Sequence, residues 1–146
     1  MRYFRILFAG ALTAALGAAA LAASGPTIVT PSSIKWTPGT GMEKGTFNAV
    51  LMGDPTKSGM YVIRLKLPAG TTFGPHYHNE TENVTVISGA LWVGLGDKMN
   101  RAQMKPLSAG AFASVPAKLR HYAMTKTDTV IQIEGIGPET MVPVKM

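Results

Sequence analysis

The chain has no cysteine. That excludes disulfides and thiolate metal ligands, leaves no site for N-terminal lipidation, and requires a core that holds together without covalent staples. Lysine and arginine are scattered singly, so no basic patch marks a nucleic-acid partner. Nine methionines are present, but none stand in a Met-x-x-Met cluster of the kind expected for copper handling, and core filling accounts for them. Beyond the first 24 residues no stretch longer than about ten residues shows helical periodicity. What the sequence does have is alternation, turn residues and three histidines.

The one long apolar run lies at the front. Arg2 and Arg5 precede Ile6 to Leu21, and Ala20-Leu21-Ala22 forms a small-x-small cleavage site. The run is long enough to raise a membrane-span reading. It is mostly alanine and glycine, no basic stop-transfer cluster follows, and Ser24-Gly25-Pro26 come next, so residues 1–23 are expected to be a cleaved signal peptide. No Arg-Arg pair directs it to the twin-arginine route. The expected location is the periplasm or the exterior, with no stable membrane insertion after cleavage. Loss of Arg2 and Arg5 lowers the formal charge from +6 to +4 and leaves about 123 residues, one domain with room for a sizeable core.

The chemistry is concentrated in Gly70 to Gly89, GTTFGPHYHNETENVTVISG. His76 and His78 are two apart, so on a strand both imidazoles project to one face and Tyr77 turns away. Glu82 follows four residues after His78, where a turn and a second strand can return a carboxylate to the same place. His121 stands in a second strand-like setting, PAKLRHYAM. Three imidazoles and a carboxylate converging in an antiparallel barrel make a divalent-metal site. His76, His78, Glu82 and His121 are the expected ligands. A lone histidine on a strand is more often a polar surface or satisfied core residue. Glu80 is left open as ligand or base, with a surface role favoured.

These spacings resemble those of the cupin family. Its first motif is Gly, five residues, His-x-His, three or four residues, Glu, six residues, Gly, and Gly70, His76, His78, Glu82 and Gly89 meet every position. Its second motif is matched by Gly110, Pro116 and His121, but Lys118 stands in place of a glycine and Thr125 in place of an asparagine. The first departure implies a non-glycine residue in a turn that favours positive φ. The resemblance covers roughly Ile34 onward. It implies an all-β fold, a cupin-type double-stranded β-helix or jelly-roll barrel.

The remaining elements fit that frame. Residues 24–40 read as an extended arm with a strand near 33–36, and residues 41–146 as the barrel. Phe47 to Met52 is a strand closed by the turn Gly53-Asp54-Pro55. Tyr61 to Leu67 alternates cleanly, with Tyr61, Ile63, Leu65 and Leu67 facing inward and Arg64 and Lys66 outward. Ser88-Gly89 turns Val84 to Ile87 into Ala90 to Leu95, with Val84 and Val86 on the face of Glu82. Met99 to Lys105 carries little signal, and Leu107 to Gly110 reads as a turn. Ala111 to Val115 and Asp128 to Glu134 read as strands, with Thr140 to Val144 closing an edge. Tyr77 and Tyr122, each beside a histidine, should face away from the site.

Nitrogen and oxygen donors without sulfur suit Fe, Mn, Co, Ni, Cu or Zn, one ion per chain. Four protein ligands leave open positions on a metal that takes six, which points to catalysis rather than structure. The preferred expectation is a metal-dependent oxygenase acting on a small anionic or phenolic molecule. The alternatives are a metal-dependent lyase or isomerase, favoured by a polar base near the metal, and a non-catalytic module that binds a small ligand. A homodimer, with the arm adding a strand to a neighbour's sheet edge, is a further option.

Overall fold

A computed structural model describes residues 25–40 and 42–145. The expected signal peptide lies outside the described residues. The chain there is all β with short connections. Its strands are β1 (Thr37–Pro38), β2 (Phe47–Met52), β3 (Gly59–Leu67), β4 (Thr72–Tyr77), β5 (Glu82–Ser88), β6 (Ala90–Leu95), β7 (Lys105–Ser108), β8 (Phe112–Val115), β9 (His121–Thr125), β10 (Thr129–Gly137) and β11 (Val142–Pro143). They form two antiparallel sheets, β1-β2-β3-β10-β5-β8 and β11-β4-β9-β6-β7. This is a double-sheet jelly roll. Among the described residues no helix is long and apolar enough to cross a membrane.

Alternation places the core between the sheets. On β3, Tyr61, Leu65 and Leu67 are buried while Lys66 is exposed, as its period-two pattern requires. On β5, Val84 and Val86 follow Glu82 inward. Ile131 and Ile133 of β10 and Leu91 of β6 complete a cluster spanning both sheets. Each such side chain contributes about 1.5–3 kcal/mol on leaving water. Arg64 points outward, where its Nε donates to Gln132 Oε1 at 2.9 Å across the β3–β10 pair.

Two glycines are required by close approach. Gly89 joins β5 to β6 at φ 75°, and a Cβ there would lie 2.4 Å from the Asp128 carbonyl oxygen. Gly94 pairs with Tyr122, and a Cβ would lie 2.2 Å from the Tyr122 ring. That bare backbone lets the Tyr122 ring lie flat on the far side of its sheet, fully buried, its hydroxyl directed to the Asn100 carbonyl oxygen at 3.4 Å. Tyr122 therefore faces away from the histidine side of β9, as alternation requires.

Three local expectations are corrected. The arm has a 3₁₀ turn at Pro31–Ser33, and its strand is β1 at Thr37–Pro38 instead of 33–36. Pro31 opens that turn, and a proline-led polar segment closes on itself through the Ser33 N–H to Thr30 carbonyl bond before it extends. Leu107 belongs to strand β7 and not to a turn, since β7 pairs with β6 from Lys105 to Ser108. Pro106 hid this strand from the sequence reading, and it is tolerated because β7 is a sheet edge. The strand expected at Asp128 to Glu134 continues to Gly137, with β3 paired along its whole length.

The end of the arm joins its own chain's sheet. Thr37 and Pro38 pair with Asn48 and Phe47, and the Lys66 ammonium sits 4.1 Å from the Trp36 ring centroid.

Candidate metal centre

The histidines are brought together by sheet register. His76 of β4 and His121 of β9 are direct cross-strand partners, and their ring centroids are 4.2 Å apart. His78, one residue past the end of β4, keeps the same face at 5.1 Å from His76 and 5.3 Å from His121. A bulge aims this strand. Phe73 pairs with Ala123 and His76 with His121, so β4 spends one more residue than β9 over that interval. The extra residue falls at Gly74-Pro75, where proline has no N–H to contribute to a ladder.

Each imidazole is held at Nδ1. His76 Nδ1 donates to the Gly74 carbonyl at 2.7 Å, His78 Nδ1 to the Thr140 carbonyl at 2.6 Å, and His121 Nδ1 to the Leu119 carbonyl at 3.0 Å. Those bonds place the proton on Nδ1 and leave each Nε2 with a free lone pair. One ligand atom from each of the three lies within 4.8 Å of the others. His78 Nε2 is buried and has no hydrogen-bond partner among the described residues. An orphaned buried acceptor costs free energy unless something binds it, so the donor set fits a metal ion.

Glu82 opens β5 and reaches in from the opposite sheet. Its Oε2 lies 3.6 Å from His78 Nε2 and 3.8 Å from His121 Nε2. Burial pushes its carboxyl up from 4.5 to about 7, opposed by His121 and assisted by the charge of Glu139. Burial likewise holds His76 down at about 4. Both shifts favour the uncharged form, because burial penalises charge. Glu80 is exposed and lines a surface groove with Met60, Thr81 and Glu134, away from the imidazoles.

One carboxylate was not singled out from the sequence. Glu139 follows β10, lines the same cavity, and places Oε1 3.8 Å from His78 Nδ1. Its backbone N–H is fixed to the Pro55 carbonyl at 2.6 Å. The next residue, Thr140, supplies the carbonyl that orients His78, and its hydroxyl accepts from the Asn79 N–H at 3.1 Å. Strand β11 then pairs with His76 and Tyr77, which makes the expected 140–144 edge the wall of the site. No spacing rule marks Glu139; only the return of β11 alongside β4 brings it in.

The departures from the second cupin motif fit locally. Lys118 takes φ 66°, the positive value that the missing glycine implied. Thr125 is fully buried: its hydroxyl donates to the Pro68 carbonyl at 2.6 Å and its N–H to the Thr71 carbonyl at 2.9 Å. It thereby fastens the turn that leads into the His76 strand.

The cupin domain family matches residues 63–133, and the chain belongs to the cupin superfamily. Within it, solved structures share the fold at low identity. A protein from Methylibium petroleiphilum, provisionally assigned as an acetylacetone dioxygenase, is 20% identical, with 82% of each chain covered and a TM-score of 0.66. The acetylacetone dioxygenase of Acinetobacter johnsonii is 14% identical, covering 100% of this chain and 89% of that one at a TM-score of 0.63. The polyketide cyclase RemF of Streptomyces resistomycificus is 14% identical, covering 84% and 87% at a TM-score of 0.63. No curated protein sequence matches the chain.

Proposed function

We propose that this cupin is an exported metal-dependent oxygenase for a small molecule, with His76, His78, His121 and Glu82 holding one divalent ion. The observation that carries the reading is the set of three buried imidazoles, each tied at Nδ1 to a backbone carbonyl and presenting Nε2 to an apolar cavity. Structural relatives include dioxygenases, which is consistent with that chemistry. The ion supplies Lewis acidity and, when it is redox-active, electrons for dioxygen.

The chain's own residues do the rest. The Gly74, Leu119 and Thr140 carbonyls fix the ring orientations and raise the basicity of the imidazoles. Glu82 contributes a negative charge from the facing sheet. Ile63, Val84, Leu91 and Ile133 exclude water, which strengthens electrostatic interactions within the site. Glu139 is positioned to accept a proton from a bound substrate and release it toward solvent, since its side chain is 35% exposed.

That same Glu139 favours a second reading, a lyase, cyclase or isomerase in which proton transfer is the whole reaction. A relative described as a cyclase shares the fold. Oxygen dependence separates the two. Protein loaded in turn with Fe, Mn, Co, Ni, Cu or Zn should turn over a small phenolic or diketone substrate in air and stop under argon. Unchanged anaerobic turnover would establish the proton-transfer reading. Tight ligand binding without turnover by any metal would establish a binding module. Export is tested by intact mass of the envelope fraction, which should begin near Ala23 or Ser24.

A further inference from the structure

The solvent side of the cavity is a short strap. Among the described residues that line the cavity, only Glu139 and Met141 are exposed, and they flank Thr140. The cavity holds about 110 Å³, less than the roughly 150 Å³ that takes up benzene. A ring therefore enters only if part of the wall moves. Strands β3, β5, β6, β9 and β10 each lie between two paired neighbours and form the firm part. The strap is the weak part. None of residues 138–145 is buried, and β11 pairs over two residues at a sheet edge, one of them Pro143, which has no N–H. Segments with few buried contacts and exposed hydrogen bonds open at the lowest cost.

The base of the strap is fixed. Gly137 packs so closely that a Cβ there would lie 2.1 Å from the Lys57 carbonyl oxygen, and the Glu139 N–H donates to the Pro55 carbonyl at 2.6 Å. Beyond that point the strap is held to β4 and the residues beside it. The Thr140 carbonyl accepts from His78 Nδ1 at 2.6 Å and the Thr140 hydroxyl from the Asn79 N–H at 3.1 Å, while the Val144 N–H donates to the Pro75 carbonyl at 2.9 Å. Thr140 thus grips both His78 and the residue after it.

We propose that Thr140 is a latch: closed, it positions His78, and released, it swings Met141 off the cavity and opens the route from solvent to the imidazoles. Glu139, behind the hinge, stays at the mouth. The proposal rests on the functional reading above for the metal; the motion rests on the strap alone. An ion on Nε2 makes the His78 Nδ1–H a better donor and so strengthens its bond to the Thr140 carbonyl. Linkage then requires the closed latch to bind metal more tightly than the open one.

Amide hydrogen exchange is measured on full-length protein, first chelated and then loaded with zinc. In the chelated chain the Asn79 and Val144 amides should exchange together, roughly tenfold or more faster than those of Ile131 and Ile133 in β10. Zinc should slow both. Thr140→Val should speed exchange at Val144, which the hydroxyl does not touch, and weaken zinc about tenfold; Thr140→Ser should restore both. Because the chain lacks cysteine, Tyr77→Cys/Val142→Cys, at direct partners across β4 and β11, can be locked by oxidation and freed by reduction. Oxidised, this variant should lose zinc to EDTA roughly tenfold more slowly than the same protein reduced. Asn79 and Val144 exchanging only with the core amides, no change at Val144 in Thr140→Val, or equal zinc loss from the oxidised and reduced forms would each overturn the proposal. Failure to bind zinc at all would refute the metal reading, and exchange in the chelated chain would still decide the strap.

Discussion

The backbone N–H of Lys118 donates to the carbonyl oxygen of His78 at 2.8 Å, so the turn that precedes β9 is fastened to the strand end that carries an imidazole. The bond is made from φ 66°, where a Cβ is crowded by the following carbonyl at a cost of about 1–2 kcal/mol. The side chain offsets part of this through Asn79 and the Tyr77 ring.

Lys118→Gly should therefore relieve the backbone and raise the melting temperature by roughly 2–4 °C, with metal content unchanged. Lys118→Val, β-branched in the same conformation, should lower it. A lower melting temperature for the glycine variant would show that the contacts to Asn79 and Tyr77 outweigh the strain.

Metal binding should depend on the clustered residues and not on their acidic neighbour. Replacing His76, His78 or His121 by alanine is expected to cut affinity at least a hundredfold, while Glu80→Ala, on an exposed side chain, should leave it unchanged. Elemental analysis of protein purified without added metal reads both. Full occupancy in a His76→Ala/His78→Ala double variant would remove the assignment.

The buried carboxyl gives a pH dependence with a defined sign. Glu82 is raised from 4.5 to about 7 in the folded, metal-free chain, so its destabilising contribution grows as pH rises from 4.5 to 7 and is constant above. His76 is lowered to about 4, so its contribution is lost as pH falls from 6.5 to 4. Metal must displace the Glu82 proton. Calorimetry in buffers of different ionisation enthalpy should find more protons released per metal at pH 6 than at pH 8. In chelated protein, Glu82→Gln should stabilise the fold at pH 8 by up to roughly 3 kcal/mol and give no gain at pH 4.5. Equal stability of the two proteins at pH 8 would show that the Glu82 charge is already compensated.

Glu139→Gln should leave metal content intact and lower turnover about 10²–10⁴-fold, the usual worth of a positioned base. The loss should fall on kcat rather than KM. Unaltered turnover would confine Glu139 to shaping the wall.

Much of this was legible from spacing. His-x-His on a strand, and the alternation of Tyr61 to Leu67 and Glu82 to Val86, are period-two facts that the sequence states directly. The positive φ at Lys118 was legible because a glycine was missing from its place. Glu139 and Thr140 were not, because their roles come from β11 returning beside β4, a pairing across more than sixty positions that no local pattern encodes. Strand β7 was obscured for the opposite reason. Pro106 speaks against a strand locally, and only its edge position makes it acceptable.

The Thr140 carbonyl that sets the His78 proton has a consequence for how the protein matures. Every other residue of the cluster precedes it in the chain, so a ribosome can have delivered all three imidazoles and Glu82 while the group that chooses the His78 tautomer is still unmade. Such a nascent chain lacks the finished chelate. The cluster is complete only once β11 has paired beside β4.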